Sequence, residues 1–404
     1  MVLSNLLMII LCSSSTLSLA IIIVYVDDLV LSGDNLFEIE AIKRALDAEC
    51  SIKDLGRLKY FFGMKVARSS KGITLYQRKY TLDLLEEYGM LEAKPASVPM
   101  LYNGKLSKES GTRLPDPLQY RRLLGQLLYL TNTRPDITFA VEKLSQFLDC
   151  ATDDYYKAPL HILRYIKKFP SKGLFFSSNN DLKLTGYFDL DWATCSGTHR
   201  SITGYCFFLG SSLVSWKSKK QTTVAYSSLE AEYRAMAQAT RKGQWLLYLL
   251  NDCHVSHLQP INLYCDNQSA LYISANPVFH ERTKHIEVYC HIVREKSQTG
   301  VLKLLPIKSA NLTADLLTKA LSPGVFEPLL FKLGMLDLHA PLEGGYSVDD
   351  KKLKVSTSLN SREDDNNVAE LATNSISFNL KEDVGDDIKL VSNGSQKQAV
   401  IDYG

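Results

Sequence analysis

Asp181-Leu-Lys-Leu-Thr-Gly-Tyr-Phe-Asp-Leu-Asp191 is the stretch on which the fold turns. Leu182 and Leu184 alternate with polar neighbours, the period of a strand with one buried face. Two more strands are predicted after it: Tyr205–Leu209, continuous and apolar, and Leu213–Trp216 beyond the Gly210-Ser-Ser turn. A long helix from Ser228 to about Cys253 follows, then a strand Ile261–Cys265 and a helix from Gln268. Another helix around Ile286–Gln298, a strand Val301–Leu305 and a last helix from Thr313 complete the order, which predicts an α/β (α+β) domain built on five strands.

Four acidic residues punctuate this region, each in its own signature. They are Asp189 in Gly186-Tyr-Phe-Asp-Leu-Asp-Trp192, Glu232 in Ser227-Ser-Leu-Glu-Ala-Glu-Tyr233, Asp266 in Leu263-Tyr-Cys-Asp-Asn-Gln268 and Asp315 in Thr313-Ala-Asp-Leu-Leu-Thr-Lys319. Carboxylates gathered at strand ends and helix starts can hold a pair of magnesium ions and drive phosphodiester hydrolysis. Spacing alone does not choose between Asp189 and Asp191, which point the same way on one strand. Between Glu230 and Glu232 local physics does choose. Ser227 and Glu230 stand in the relation of a capping box, whereas Glu232 lies on a sheet-facing stripe with Leu229, Tyr233 and Met236. A carboxylate there is costly to bury unless a cation compensates it. Singly, each acid also has an ordinary role; Asp315, in the first turn of a helix, would gain ~0.3–1 kcal/mol from the helix dipole.

In this order the signatures resemble the ribonuclease H domain of the Pol polyprotein of copia-type LTR retrotransposons. The likeness continues through Arg200-Ser-Ile-Thr-Gly-Tyr205, Ser215-Trp-Lys-Ser-Lys-Lys-Gln221, Asn276-Pro-Val-Phe-His-Glu-Arg-Thr-Lys-His-Ile286 and Cys290-His-Ile-Val-Arg-Glu295. Upstream, Tyr25-Val-Asp-Asp28, Asp54-Leu-Gly-Arg-Leu-Lys-Tyr-Phe-Phe-Gly63 and the run from Tyr120 to Asp136 are similar to the same family's reverse transcriptase, from the end of its palm onward. The resemblance spans about Ile21 to about Met335.

It implies a truncated palm, thumb and connection over 25–176, followed over 181–325 by a ribonuclease H-like mixed five-stranded sheet. It also selects Asp189, and casts Asp189, Glu232, Asp266 and Asp315 as catalytic ligands of two Mg2+ ions, with Mn2+ as substitute. The implied substrate is the RNA strand of an RNA–DNA hybrid. Arg200, Lys217, Lys219 and Lys220 are candidates for phosphate contacts, although such a cluster is also an ordinary solvated face, and His285 resembles a histidine that assists product release. Asp27 and Asp28 resemble the metal-binding hairpin of the polymerase; with no acidic residue before Asp27, that site is expected to be vestigial unless another Pol chain complements it. Tyr226, Tyr289 and Arg241-Lys242-Gly243 depart from the family pattern, so a catalytically inactive remnant or nucleic-acid-binding module stays open as the alternative.

Charge and composition bound the rest. Leu336–Gly404 holds 13 acidic against 7 basic residues, which leaves Met1–Met335 with a surplus of +8, fitting a polyanionic partner. That acidic tail, 336–404, is poor in aromatics, shows no sustained period and is expected to be disordered. The eight cysteines are scattered with no Cys-x-x-Cys pair, which suggests neither a disulfide framework nor a zinc ribbon and reads as reduced, intracellular thiols in cytoplasm or nucleus. His280, His285, Cys290 and His291 are close in sequence but match no common zinc spacing. Residues 1–24 form an uncharged apolar leader, read as an aberrant start; the competing reading is a secretory signal, and its interrupted run is too short for a stable membrane partner.

Overall fold

The computed structural model describes residues 7–12, 19–25, 28–102, 111–194, 197–255, 259–275, 287–338, 376–379 and 399–401. Contacts divide the chain into two units, Met1–Phe62 with Leu338–Gly404, and Gly63–Asp337.

In the first unit, Leu7–Cys12 (β1), Leu19–Tyr25 (β2) and Asp28–Gly33 (β3) form an antiparallel meander in which Tyr25 pairs with Asp28. The described parts of the segment expected to be an aberrant leader are thus strand, as their isoleucine-rich runs favour. Helix α1, Leu36–Cys50, begins where the Asn35 side chain accepts the Phe37 N–H at 3.0 Å, and buries Ile39 against Ile22, Leu29 and Leu31. Lys53–Arg57 (β4) follows. Two short pieces of the acidic tail are in strand rather than disordered: Ile376–Asn379 pairs with β3 and β4, and Ala399–Ile401 pairs with β1, satisfying backbone groups those strands would otherwise leave open. Most of the remaining tail lies outside the described residues.

In the second unit, Met64–Ser69 (β5), Gly72–Tyr76 (β6) and Lys172–Ser177 (β7) form an antiparallel sheet. Between β6 and β7 lie helices α2 (Arg78–Glu87), α3 (Leu118–Leu130), α4 (Thr138–Leu144) and α5 (Asp153–Lys168). Helix α4 is flanked by a 3-10 turn at Pro135–Ile137 and a second 3-10 turn at Ser145–Phe147. Pro135 supplies no N–H and starts the first turn.

The decisive stretch forms β8 (Leu184–Asp191), followed by β9 (Ile202–Leu209), β10 (Ser212–Lys220), α6 (Ser228–Asp252), β11 (Ile261–Cys265), α7 (Gln268–Ala275), α8 (Glu287–Gln298) and β12 (Leu302–Pro306). Strand order is β10-β9-β8-β11-β12, with the first three antiparallel and β11 parallel to both β8 and β12. This is the expected mixed five-stranded sheet. The last helix differs: Thr313–Leu317 is a 3-10 turn, and an α-helix, α9, begins only at Pro323 and runs to Lys332 before the short strand β13, Met335–Asp337.

Alternation along β8 gives the sheet two different faces. Phe188 and Leu190, with Tyr205 and Phe207 of β9, pack under Ala231, Tyr233, Ala235 and Met236 of α6. Cys206, Phe208 and Leu213 on the opposite face join one core with Leu123, Leu127, Val141 and Ile162 of the preceding helices and with Leu316, Leu317, Phe326 and Leu329. The helices before the sheet are therefore its second covering layer, and β13 closes the arrangement by pairing with β7.

Candidate active site

Helix α6 sets the first acid. The Ser227 hydroxyl accepts the Glu230 N–H at 3.1 Å, and the Glu230 carboxylate accepts the N–H of Tyr226 at 2.8 Å and an ion pair from Arg234 at 2.5 Å. Glu230 is thus committed to the helix start, as the capping pattern predicts. Glu232, 5 % exposed, points inward and accepts a hydrogen bond from the Cys265 thiol at 3.2 Å.

Asp189 emerges from β8 opposite Gly204 of β9. A side chain at 204 would collide with Thr318 and Leu317, so this glycine lets the 3-10 turn lie directly on the sheet beside Asp189. Thr318 donates its hydroxyl to Asp189, and the Lys319 ammonium bridges two acids, at 3.0 Å from Asp189 Oδ2 and 2.9 Å from Asp315 Oδ1. Asp266, at the C-terminal end of β11, accepts the Ser309 hydroxyl at 2.8 Å.

Two of the acids are shifted by their surroundings. Burial, followed by the charges of Asp189 and Asp266, pushes Glu232 up to about 7 against the Cys265 hydrogen bond. Burial and the Asp189 charge push Asp315 up to about 7, opposed by Lys319. Lys319 itself is raised, because Asp189 and Asp315 outweigh the burial of its ammonium. Asp191, on the same face as Asp189, is also raised by burial, but carries no ion pair to Lys319. As the side chains stand, no group of three or more His, Cys, Asp and Glu among the described residues is arranged to hold a metal ion. Asp189 and Asp315 meet on an ammonium, while Glu232 and Asp266 are held by Cys265 and Ser309.

These shifts fix a sign. In the folded chain Glu232 and Asp315 hold protons that ordinary carboxyls, at 4.5 and 3.8, release. Between about pH 4 and 7 the folded state binds more protons than the unfolded one, so the stability these two groups contribute falls across that window as pH rises and is flat above it. Glu232→Gln should therefore match the metal-free parent at pH 5 and exceed it at pH 8, by on the order of 2 kcal/mol. Denaturant titration at the two pH values checks this; an equal offset at both would contradict it.

The remaining expected residues are placed as follows. Arg200 is half-buried ahead of β9. Lys217 and Lys219 pair across from Tyr205 and Thr203, the parity of the α6 face, whereas Lys220 lies in the row of Ile202 and Asp191 and shares the parity of Asp189. His285 and Asp27 lie outside the described residues, as does His280 of the weighed zinc cluster; Asp28 is the first residue of β3. Reading the sequence missed Cys265, Ser309, Thr318 and Lys319. Three of these sit within or beside the acidic signatures, and the signal was adjacency to a buried carboxylate.

The reverse transcriptase (RNA-dependent DNA polymerase) family model matches residues 6–102, which puts a polymerase segment ahead of the sheet that carries the acids. The retrovirus-related Pol polyprotein from transposon RE2 of Arabidopsis thaliana is 41% identical over 319 residues, covering 79% of this chain and 22% of that one. The putative transposon Ty5-1 protein of Saccharomyces cerevisiae is 33% identical over 215 residues, 52% of this chain and 70% of that one. The chain belongs to the family of copia-type retrotransposon Pol polyproteins, and spans about a fifth of the length of the RE2 polyprotein. Among solved structures, the RNase H1 of Halobacterium salinarum NRC-1 is similar at 16% identity and a TM-score of 0.25, over 34% of this chain and 94% of that one. No helix among the described residues is long and apolar enough to cross a membrane.

Proposed function

We propose that the chain cleaves the RNA strand of RNA–DNA hybrids as a magnesium-dependent ribonuclease H, with Asp189, Glu232, Asp266 and Asp315 as its catalytic carboxylates. The observation that carries this reading is Lys319: two buried aspartates from distant parts of the chain meet on one cation, while Glu232 lies within reach of the charges of Asp189 and Asp266. Oxygen-only donors of this kind suit hard divalent ions, and the ammonium stands where positive charge is needed.

The four carboxylates would hold two Mg2+ ions, with Mn2+ as substitute, which when bound supply a nucleophilic water at neutral pH and stabilise the departing ribose 3′ oxygen. The protein's own groups orient the acids. Cys265 fixes one oxygen of Glu232, Ser309 holds Asp266, and Thr318 pins Asp189. Glu232 and Asp315 must lose their protons to bind metal, so affinity should fall below about pH 7. Lys220 and Arg200 are the basic residues at that end of the sheet suited to strand phosphates, and discrimination of RNA would rest on its 2′-hydroxyls. Polymerase chemistry lies outside this proposal.

The test is release of labelled RNA from a hybrid by the full chain in Mg2+ or Mn2+, against Asp266→Asn. Loss of even an outer-sphere partner in metal sites costs ~10–100-fold, so removing a ligand should cost at least ~100-fold. Equal cleavage by parent and variant would remove the assignment. Hybrid binding without cleavage, weakening steeply with salt, would support a nucleic-acid-binding module instead.

A further inference from the structure

We propose that Lys319 is a built-in counter-cation: its ammonium holds Asp189 and Asp315 together in the metal-free protein, and divalent metal binds by displacing it. This rests on the two-cation reading of the site and adds how that site is filled. Asp189 is 3 % exposed and Asp315 7 %, one from a strand and the other from the 3-10 turn that Gly204 admits onto the sheet. When both are ionised, two carboxylates so placed need compensation in the metal-free chain. Lys319 supplies it with two short ion pairs, at 3.0 and 2.9 Å.

The choice of side chain matters. At 33 % exposure the Lys319 side chain reaches solvent, so it can leave without opening the core; Arg134, also paired to an aspartate but 1 % exposed, has no such exit. An ammonium is a compact charge on a flexible stem and offers a single point of attachment, whereas a guanidinium would grip both acids with a planar fork. The anchor is local as well: Lys319 follows Asp315 by four residues and directly follows Thr318, whose hydroxyl stays on Asp189 when the ammonium departs. Metal entry is then an exchange of one cation for another, and its apparent affinity carries the cost of breaking both ion pairs. Removing Lys319 takes away that cost and makes the donor set one unit more negative.

Titration of the full chain with Mg2+ and with Mn2+, by calorimetry at fixed pH and salt, reads this without reference to cleavage. Lys319→Met should bind Mg2+ at least about tenfold more tightly than the parent, and Lys319→Arg more weakly than the parent. Equal or weaker binding by a folded Lys319→Met overturns the exchange while leaving the cation site standing. If Lys319→Met does not fold, Lys319→Arg decides, and parental affinity there overturns the proposal. If parent and variants fold but bind neither ion, the cation site itself fails, and this inference with it.

Discussion

A chain cut to residues 181–337 should fail to fold, whereas 63–337 should fold cooperatively. The five-stranded sheet carries Asp189 on the face it buries against the preceding helices, not on the face under α6. Cys206, Phe208, Leu213, Leu316, Leu317, Phe326, Leu329 and Leu333 all belong to the core shared with α2 to α5. Burying an apolar side chain of this kind is worth roughly 1.5–3 kcal/mol. Even if half of that burial survives among the fragment's own residues, the loss approaches the whole stability of a domain, roughly 5–15 kcal/mol. The cut also removes β7, the partner of β13. Near-ultraviolet circular dichroism and denaturant titration of the two pieces decide the matter. A cooperative transition in 181–337 would show that the two faces are independent.

Arg134→Met should be the most damaging single substitution outside the site. Arg134 and Asp136 are both 1 % exposed and paired through two hydrogen bonds of 2.9 and 2.8 Å. The guanidinium also donates to the Phe169 carbonyl at 3.1 Å, and Tyr165 donates to Asp136 at 2.7 Å. Burial alone would push Asp136 up, but the Arg134 charge and its hydrogen bonds overcome this and hold the carboxyl below its ordinary value. Taking away the cation strands a buried carboxylate, which costs about 3–5 kcal/mol. Pairing the change with Asp136→Leu should recover much of the loss, since an apolar pair in place of a buried ion pair is often neutral. A double variant as unstable as the single one would show that shape at this point, rather than charge, is what the fold requires.

These residues also show where sequence reasoning stops. Alternation in Asp181–Asp191 and the capping pattern at Ser227 were legible because strand parity and helix starts are local properties; Glu230 is engaged at the helix start and Glu232 is buried against Cys265. Parity sets Asp189 on the face opposite Leu184 but does not say that this face is covered; the covering helices come from 78–168, and only the fold brings them there. The same limit hid the cation. Lys319 follows Asp315 by four residues, which on a regular helix reads as an ordinary surface pair worth a few tenths of a kcal/mol. Here the turn is 3-10, lies against Gly204, and presents the ammonium to Asp189 as well. Parity alone would have separated Lys220 from Lys217 and Lys219, had the register of β10 against β9 been known.

The proposed nuclease stands on the claim that Asp189, Glu232, Asp266 and Asp315 form one divalent-cation site. Crystals of the full chain equilibrated with Mn2+ test it most directly through anomalous scattering. Two peaks about 4 Å apart, between these four carboxylates and with Lys319 swung away, are the predicted result. Peaks elsewhere, or none while Lys319 still bridges Asp189 and Asp315, would contradict it.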